Sequence, residues 1–364
     1  MKKNYVYDVL RVLSCIGVIG IHTFKNSSII GLICQAIVRI GLPMFLFISG
    51  SLNLKYKEEK TLDFYKKRFH KVIIPYIVYA LIYVIYESIS IGVFHRSRFI
   101  QIIENPSAIN VHFWFVYSIL GIYLATPFLR VMFKNMTNSI KKELTILLLV
   151  LAFILYTLPL TGHGIYITDF PFASWTIIFY LLGYLIGNEK IFNDKEIIFY
   201  ILGIISFVIS CIYGKNDESF YCSQLTMYFE VIAVYLLFNR LFKNKKNNKV
   251  ILFISKYTYD IYLIHALFIN IIVKYSLDNS IDIYTFKWQF IVLPIVFILS
   301  IISSFIIHNI IDIVYKFIGK ILKKNKKWTI SSFFLLIFYF RIRLLLSLWL
   351  QHHQYILYYD LMFL

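Results

Sequence analysis

The feature that most limits what this chain can become is a succession of ten apolar stretches, near residues 6–24, 29–52, 72–94, 112–133, 144–160, 170–187, 196–213, 222–241, 250–273 and 288–315. A run of about 20 apolar residues is what an α-helix needs to cross the hydrocarbon of a bilayer. Backbone N–H and C=O groups find no partner in lipid, so such runs fold as helices that satisfy themselves. The alternation of polar and apolar positions that marks an outer-membrane barrel, over strands of roughly ten residues, is absent. Composition agrees: 59% of the 364 residues are hydrophobic and only 15% charged, against about a quarter charged in a soluble domain. The sequence predicts an all-α, polytopic membrane helical bundle of ten spans over residues 1–327. An apolar tail, 328–364, follows; Arg341, Arg343, His352 and His353 interrupt it, so it reads as an eleventh span, an interfacial helix or an extension. The first run carries Arg11 and His22 and no small-residue cleavage site, and is expected to be the first span rather than a leader.

Charge placement orients the spans. The chain has 37 Lys and Arg against 19 Asp and Glu, a net charge of +18. In a soluble protein that would suggest nucleic acid, but here the basic residues alternate with the spans. One set of connections (the N-terminus, Lys55–Lys71, Arg130–Lys142, Lys190 and Lys195, Arg240–Lys249, Lys316–Lys327) holds 26 of them, and the opposite set holds six. Cytoplasmic loops carry the Lys/Arg excess, so a cytoplasmic N-terminus in the cell membrane is expected and nucleic acid is not an expected partner. The four cysteines, Cys15, Cys34, Cys211 and Cys222, lie in or beside apolar runs without metal-ligand spacing. They read as small apolar fillers, with a Cys211–Cys222 disulfide as the alternative.

Ionisable side chains at bilayer depth cost about 2.5–3.5 kcal/mol each even on the lenient insertion scale, so they face a bundle interior or a wet cavity. The first span, YDVLRVLSCIGVIGIHTF, contains Asp8, Arg11 and His22. Eleven residues separate Arg11 and His22 by about 16 Å of rise and return them to within about 20° of one face. One stripe of one helix thus offers a cation toward the cytoplasmic side and an imidazole toward the outer side. Arg11 snorkelling to the headgroups, with His22 at the outer interface, is the alternative that spacing leaves open. The second span, VRIGLPMFLFISGSL, carries Arg39, with Gly41, Pro43 and Gly50 allowing a bend or a close approach, and Ser49 and Ser51 able to donate hydrogen bonds. Lys66, Lys67, Arg68 and Lys71 cluster just before the third span, where lipid phosphates, topology or a phosphate-rich cofactor would each account for them. Further candidates are Glu87, His112, Trp114, Glu230, Asp260, His265, and His308 with Asp312 at i, i+4. No HExxH-like spacing occurs and no metal is expected. GxSxG, Walker A and strand-preceded GxGxxG motifs are also missing.

These residues resemble the acyltransferase type 3 family of bacterial membrane enzymes. Arg11 and His22 match its first-helix signature of an Arg, ten residues and a His. GLPMFLFISGSL is similar to its second-helix Phe/Ser-Gly motif, FYKKRFHKVIIPY to its basic motif leading to a Pro, HFWFVYSILGIYLATPFLR to its Trp-containing fourth helix, and YTYDIYLIH to its Tyr-Leu-x-His ninth helix. The resemblance runs over about residues 5–320, with the motifs in the family's order. It departs where the family's Arg-x-x-Arg reads Arg68-x-x-Lys71, keeping charge but losing the second bidentate fork. It departs again where Ser51 stands in place of an aromatic residue after Ser-Gly.

The resemblance implies transfer of an acyl group, usually acetyl, from cytosolic acyl-coenzyme A (acetyl-CoA) to a hydroxyl of a cell-surface glycan or related acceptor. In that reading His22 is the general base or a transient acyl carrier, Arg11 contacts pantetheine or phosphate or polarises the thioester, and Glu87 orients an imidazole or pairs with Arg39. Arg68, Lys71 and Arg39 would hold the coenzyme, while Ser49, His112, Trp114 and His265 would bind the acceptor. The 16 Å between Arg11 and His22 is comparable with an extended pantetheine arm. Two other classes remain open: a secondary transporter or flippase for a glycan or lipid-linked intermediate, which also buries Arg, Glu and His but usually shows inverted repeats not found here, and a non-catalytic membrane subunit.

Overall fold

The structure is a computed structural model, and it describes residues 5–25, 28–94, 96–157, 174–214, 224–280 and 286–324. Every regular element among them is helical: α1 (Tyr5–Thr23), α2 (Ile29–Arg39), α3 (Gly41–Asn53), α4 (Thr61–Ile91), α5 (Ser97–Glu104), α6 (Pro106–Ile109), α7 (Trp114–Asn135), α8 (Asn138–Ala152), α9 (Trp175–Gly187), α10 (Glu196–Tyr213), α11 (Leu225–Phe242), α12 (Lys249–Lys256), α13 (Thr258–Asp278) and α14 (Phe286–Lys324). The chain divides into two compact units, Met1–His308 and Asn309–Leu364. The first holds every residue discussed below; the tail 328–364 and the expected boundary before it lie outside the described residues.

Eight helical segments among the described residues are long and apolar enough to cross a membrane, and each coincides with one of the ten expected stretches. The remaining two expected crossings, 144–160 and 170–187, correspond to α8 with the π turn Phe153–Thr157 and to the 13-residue α9. Both run into 158–173, outside the described residues. The apolar run Ile29–Asn53 breaks at Ile40 into α2 and α3. Pro43 is the cause: it has no amide to bond the carbonyl of Arg39, and its ring crowds that carbonyl.

Between helices in lipid, close packing replaces the hydrophobic effect as the cohesive force, and small residues let backbones approach. That is how α3 meets α9. A Cβ on Gly50 would fall 1.7 Å from the Tyr180 carbonyl oxygen, and one on Gly183 would fall 1.9 Å from that of Phe47. The same device joins α1 to the α2–α3 break, where a Cβ on Gly17 would meet the Val38 carbonyl at 2.6 Å. The outward face of α10, with exposed Ile197, Ile201, Ile204, Ile205, Val208 and Ile212, is the apolar surface that lipid requires. α1 is mostly buried and packs on α2, α3, α11, α12 and α13.

Three of the basic connections, those after α3, α7 and α9, are tied to one another or to the helix ends beside them. Arg130 Nε donates to the Asn53 carbonyl at 2.6 Å, Lys67 pairs with Glu59 at 2.6 Å, Lys141 with Glu189 at 2.7 Å, and the Lys134 ammonium lies 3.9 Å from the Tyr56 ring centre. The segment after α4, expected to connect two spans on the outer face, is helical and packs back on the bundle: Tyr76 of α4 and Tyr117 of α7 donate to the carbonyls of Ile102 and Ile103 on α5.

Candidate functional site

Three imidazoles from three different elements converge. The His22 ring, on the last turn of α1, lies 5.5 Å from the His265 ring of α13. His265 lies 4.9 Å from His112 in the 3-10 turn that opens α7. His22 is exposed, while His112 and His265 are buried, the latter completely. His265 Nδ1 sits 2.7 Å from the Tyr262 carbonyl. A carbonyl only accepts, so Nδ1 carries the proton and the neutral ring presents a lone pair at Nε2; that nitrogen is buried without a hydrogen-bond partner among the described residues. His112 is held by Asn110 Oδ1 at 2.6 Å on Nδ1 and by the Leu263 carbonyl at 3.3 Å on Nε2. The Tyr262 hydroxyl donates to the carbonyl of His112. The two buried imidazoles are thus fixed by α13, and the accessible one stands in front of them.

Arg39 belongs to this end of the site. It was expected to serve the coenzyme with Arg68 and Lys71, but it is buried beside His22, close enough for its charge to act on that imidazole. Its Nε donates to Gln35 Oε1 at 2.9 Å. The Gln35 amide nitrogen in turn donates to the carbonyls of Phe24 and, at 3.2 Å, Ile21, on either side of His22. Sequence reasoning passed over Gln35; the available signal was an amide four residues before a buried Arg in an otherwise apolar run.

At the other end of the α1 stripe, Arg11 is half-buried and pairs with Asp8 at 3.5 Å. Asp8 also accepts from Ser255 Oγ at 2.8 Å. Arg68 and Tyr123 lie near enough to Arg11 to interact electrostatically. The Arg68 guanidinium sits 5.3 Å from the Phe64 ring centre and 5.5 Å from that of Tyr123, and its Nε is buried with no hydrogen-bond partner among the described residues. Arg68 and Lys71 line a cleft of ≈ 610 Å³ together with Lys57, Lys60, Lys67 and three carboxylates, Glu58, Glu59 and Asp63. Burial, followed by the charges of Arg130 and Arg68, pushes the Lys57 ammonium below its ordinary value. Cations held this close favour an anionic occupant.

The other expected residues divide. His112 and His265 join His22, and Trp114 stands at the start of α7 against Trp175, 5.6 Å away. Ser49 is half-buried on α3. Glu87 does not orient an imidazole or meet Arg39: its carboxylate engages Arg98 of the folded-back α5. Asp260, buried on α13, pairs with His308 Nδ1 at 3.1 Å, and Glu230 accepts from Ser210 at 2.6 Å. Cys15, Cys34 and Cys211 are free thiols, and Cys222 lies outside the described residues.

Residues 4–309 match the acyltransferase domain family. The chain belongs to that family. It is a multi-pass membrane member of an acyltransferase family, as the order of its motifs implied. Similar proteins include the "Probable poly-beta-1,6-N-acetyl-D-glucosamine export protein" of Staphylococcus aureus strains MRSA252, MSSA476 and MW2. Each is 24% identical over 305 residues, 76% of this chain and 85% of theirs. No solved structure matches.

Proposed function

We propose that this acyltransferase-family protein moves an acyl group, acetyl in the simplest case, from cytosolic acyl-coenzyme A to a hydroxyl of a cell-surface glycan. The observation that carries the reading is the placement of Arg11 and His22 on one buried helix, with a cationic cleft at the Arg11 end and an imidazole cluster at the His22 end. The cleft suits the coenzyme's phosphates, with Arg68 and Lys71 as ligands, and the pantetheine arm would follow α1 toward His22.

At His22 the chemistry closes. A sugar hydroxyl ionises far above neutral pH, so attack on a thioester needs a base within hydrogen-bond reach. His22 takes the hydroxyl proton as the oxygen attacks the thioester carbonyl carbon. The negative charge on the carbonyl oxygen needs a nearby cation, and in this reading Arg39 supplies it. The C–S bond then breaks, the ester is formed, and the imidazolium returns its proton to the leaving thiolate, so coenzyme A departs as a free thiol. An acyl-imidazole on His22 would serve the same overall reaction in two steps. His265, with its proton committed to Tyr262, offers a lone pair that can accept an N–H from His22 and set its tautomer. The geometry argues for a membrane site open on the side where the six opposite-face basic residues lie, and the charge pattern argues for a cytoplasmic N-terminus.

The names of the relatives favour a second reading, glycan export. One experiment separates the two. Membranes containing the protein are supplied with radiolabelled acetyl-CoA, and the lipid and glycan fractions are counted. Label in an alkali-labile ester of the glycan, lost with His22→Ala, supports transfer. Glycan that appears outside unlabelled, at the same rate with His22→Ala, supports export and refutes transfer.

A further inference from the structure

The carbonyls at the end of a helix have no intrahelical amide to bond, and in a membrane they cannot turn to water without cost. α1 ends at Thr23, one residue after His22, so the backbone that aims this imidazole is also the backbone least held by its own helix. Gln35 answers that need. It is buried on α2, with 3% of its surface exposed. Its single amide nitrogen donates to the carbonyls of Ile21 and Phe24, while its oxygen accepts from Arg39 Nε at 2.9 Å. Both donors of the amide and one lone pair of its oxygen are spent on two things: the last turn of α1 and the cation whose charge acts on His22.

We propose that Gln35 is a positioning residue that sets the depth and direction of His22 and locks Arg39 beside it. It touches neither acyl donor nor acceptor. The amide is the side chain suited to this task, because it must donate twice and accept once from a buried position. A carboxylate could keep the Arg39 contact but would face the Ile21 and Phe24 carbonyls with lone pairs only. An apolar residue of the same length could do neither. Spacing makes the link rigid: Gln35 and Arg39 are i, i+4 on one helix face, and α2 is pinned to α1 where Val38 lies over Gly17 and Gly20.

This inference rests on the acyl-transfer reading of His22, and the test keeps the two apart. The full-length protein in vesicles is given acetyl-CoA and the glycan of its own membranes, and release of the free thiol is followed for Gln35→Met, Gln35→Glu and His22→Ala. Melting temperature in detergent reports folding. The expected result is that both Gln35 variants lower kcat at least tenfold with KM for acetyl-CoA within twofold of wild type, because none of the residues lining the coenzyme cleft is bonded to Gln35 and Arg11, at the cleft end of α1, is about 16 Å of helix rise from His22. Gln35→Glu at full rate would overturn the proposal by showing that the carbonyl bonds are dispensable. Equal losses in kcat, coenzyme affinity and melting temperature would overturn it as well, since a general loss of structure would then explain everything. If Gln35→Met does not fold, Gln35→Asn replaces it; too short to hold Arg39 and α1 together, it is expected to show the same kcat-only loss. An active His22→Ala removes the reading beneath the proposal, whereas an inactive His22→Ala beside a fully active Gln35→Met removes the positioning role alone.

Discussion

The rings of His22 and His265 stand 5.5 Å apart, one on the open side and one sealed behind it, with the His265 proton directed to the Tyr262 carbonyl. This relationship makes the two histidines a unit rather than rival candidates. His22→Ala is expected to lower acyl transfer by 10²- to 10⁴-fold as a lost general base, and further if His22 carries the acyl group. His265→Ala should lower it by less. Residues acting as one unit are non-additive, so the double variant should be no slower than His22→Ala. Initial rates of the three variants in one membrane preparation check this; additive losses would mean that the two imidazoles act separately.

At the opposite end of α1, the Arg68→Glu, Lys71→Glu double variant is expected to raise KM for acetyl-CoA while leaving kcat nearly unchanged. A charge-assisted hydrogen bond contributes about 1.5–3 kcal/mol, and 1.4 kcal/mol is a factor of ten, so a rise of roughly 10- to 100-fold is the scale for each contact removed. Both residues line the cleft, and none of the three imidazoles does. Saturation curves with labelled acetyl-CoA measure the split, and unchanged KM would reduce the cluster to a topology signal.

How much of this was legible in the sequence follows from the range of the interactions. Arg11 and His22 share a face because helical periodicity is a local property, and eleven residues fix it without any tertiary knowledge. The spans were visible because lipid imposes a one-dimensional rule on composition. Arg39 was grouped with the coenzyme residues; its burial against Gln35 depends on how α2 seats on α1, through Gly17 and Gly20, which no periodicity encodes. The partner of Glu87 was not legible for a similar reason: Arg98 reaches it because α5 folds back along α4. Residues 95–111 read as an ordinary loop between two spans. The convergence of His112 and His265 on His22 needed three helices in place at once.

The cleft should also report on pH. The hydrogen bond from Lys67, opposed in part by burial and assisted by Arg130, holds the Glu59 carboxyl below its ordinary 4.5. A carboxyl whose pKa is depressed on folding contributes stability that is fully present above its unfolded value and is lost as pH falls through the folded one. Melting temperature should therefore drop below about pH 4.5 in the wild type, and the part due to this group should be missing in Glu59→Gln. Thermal melts from pH 3 to pH 7 test it. Identical pH profiles for the two proteins would show that the pairing seen with Lys67 at 2.6 Å is not maintained.

The departure at Ser51 has a steric cause that can be tested. Ser51 is buried, donates to the Gly183 carbonyl, and has its hydroxyl 2.4 Å from where a Cβ on Gly187 would lie. Gly50 beside it already brings α3 against the Tyr180 backbone of α9. An aromatic ring at position 51, which the related motif commonly carries, has no room here unless α9 moves away. Overpacking of a close-packed interior costs about 1–3 kcal/mol and more where backbone must shift, so Ser51→Phe should lower melting temperature sharply, and Gly183→Ala should do the same. Ser51→Ala loses only one hydrogen bond, on the order of 1 kcal/mol, and should fold. The contrast is measurable by melting in detergent. A Ser51→Phe protein as stable as wild type would mean that α3 and α9 do not meet backbone to backbone, and the close approach at Gly50 and Gly183 would then have to be abandoned.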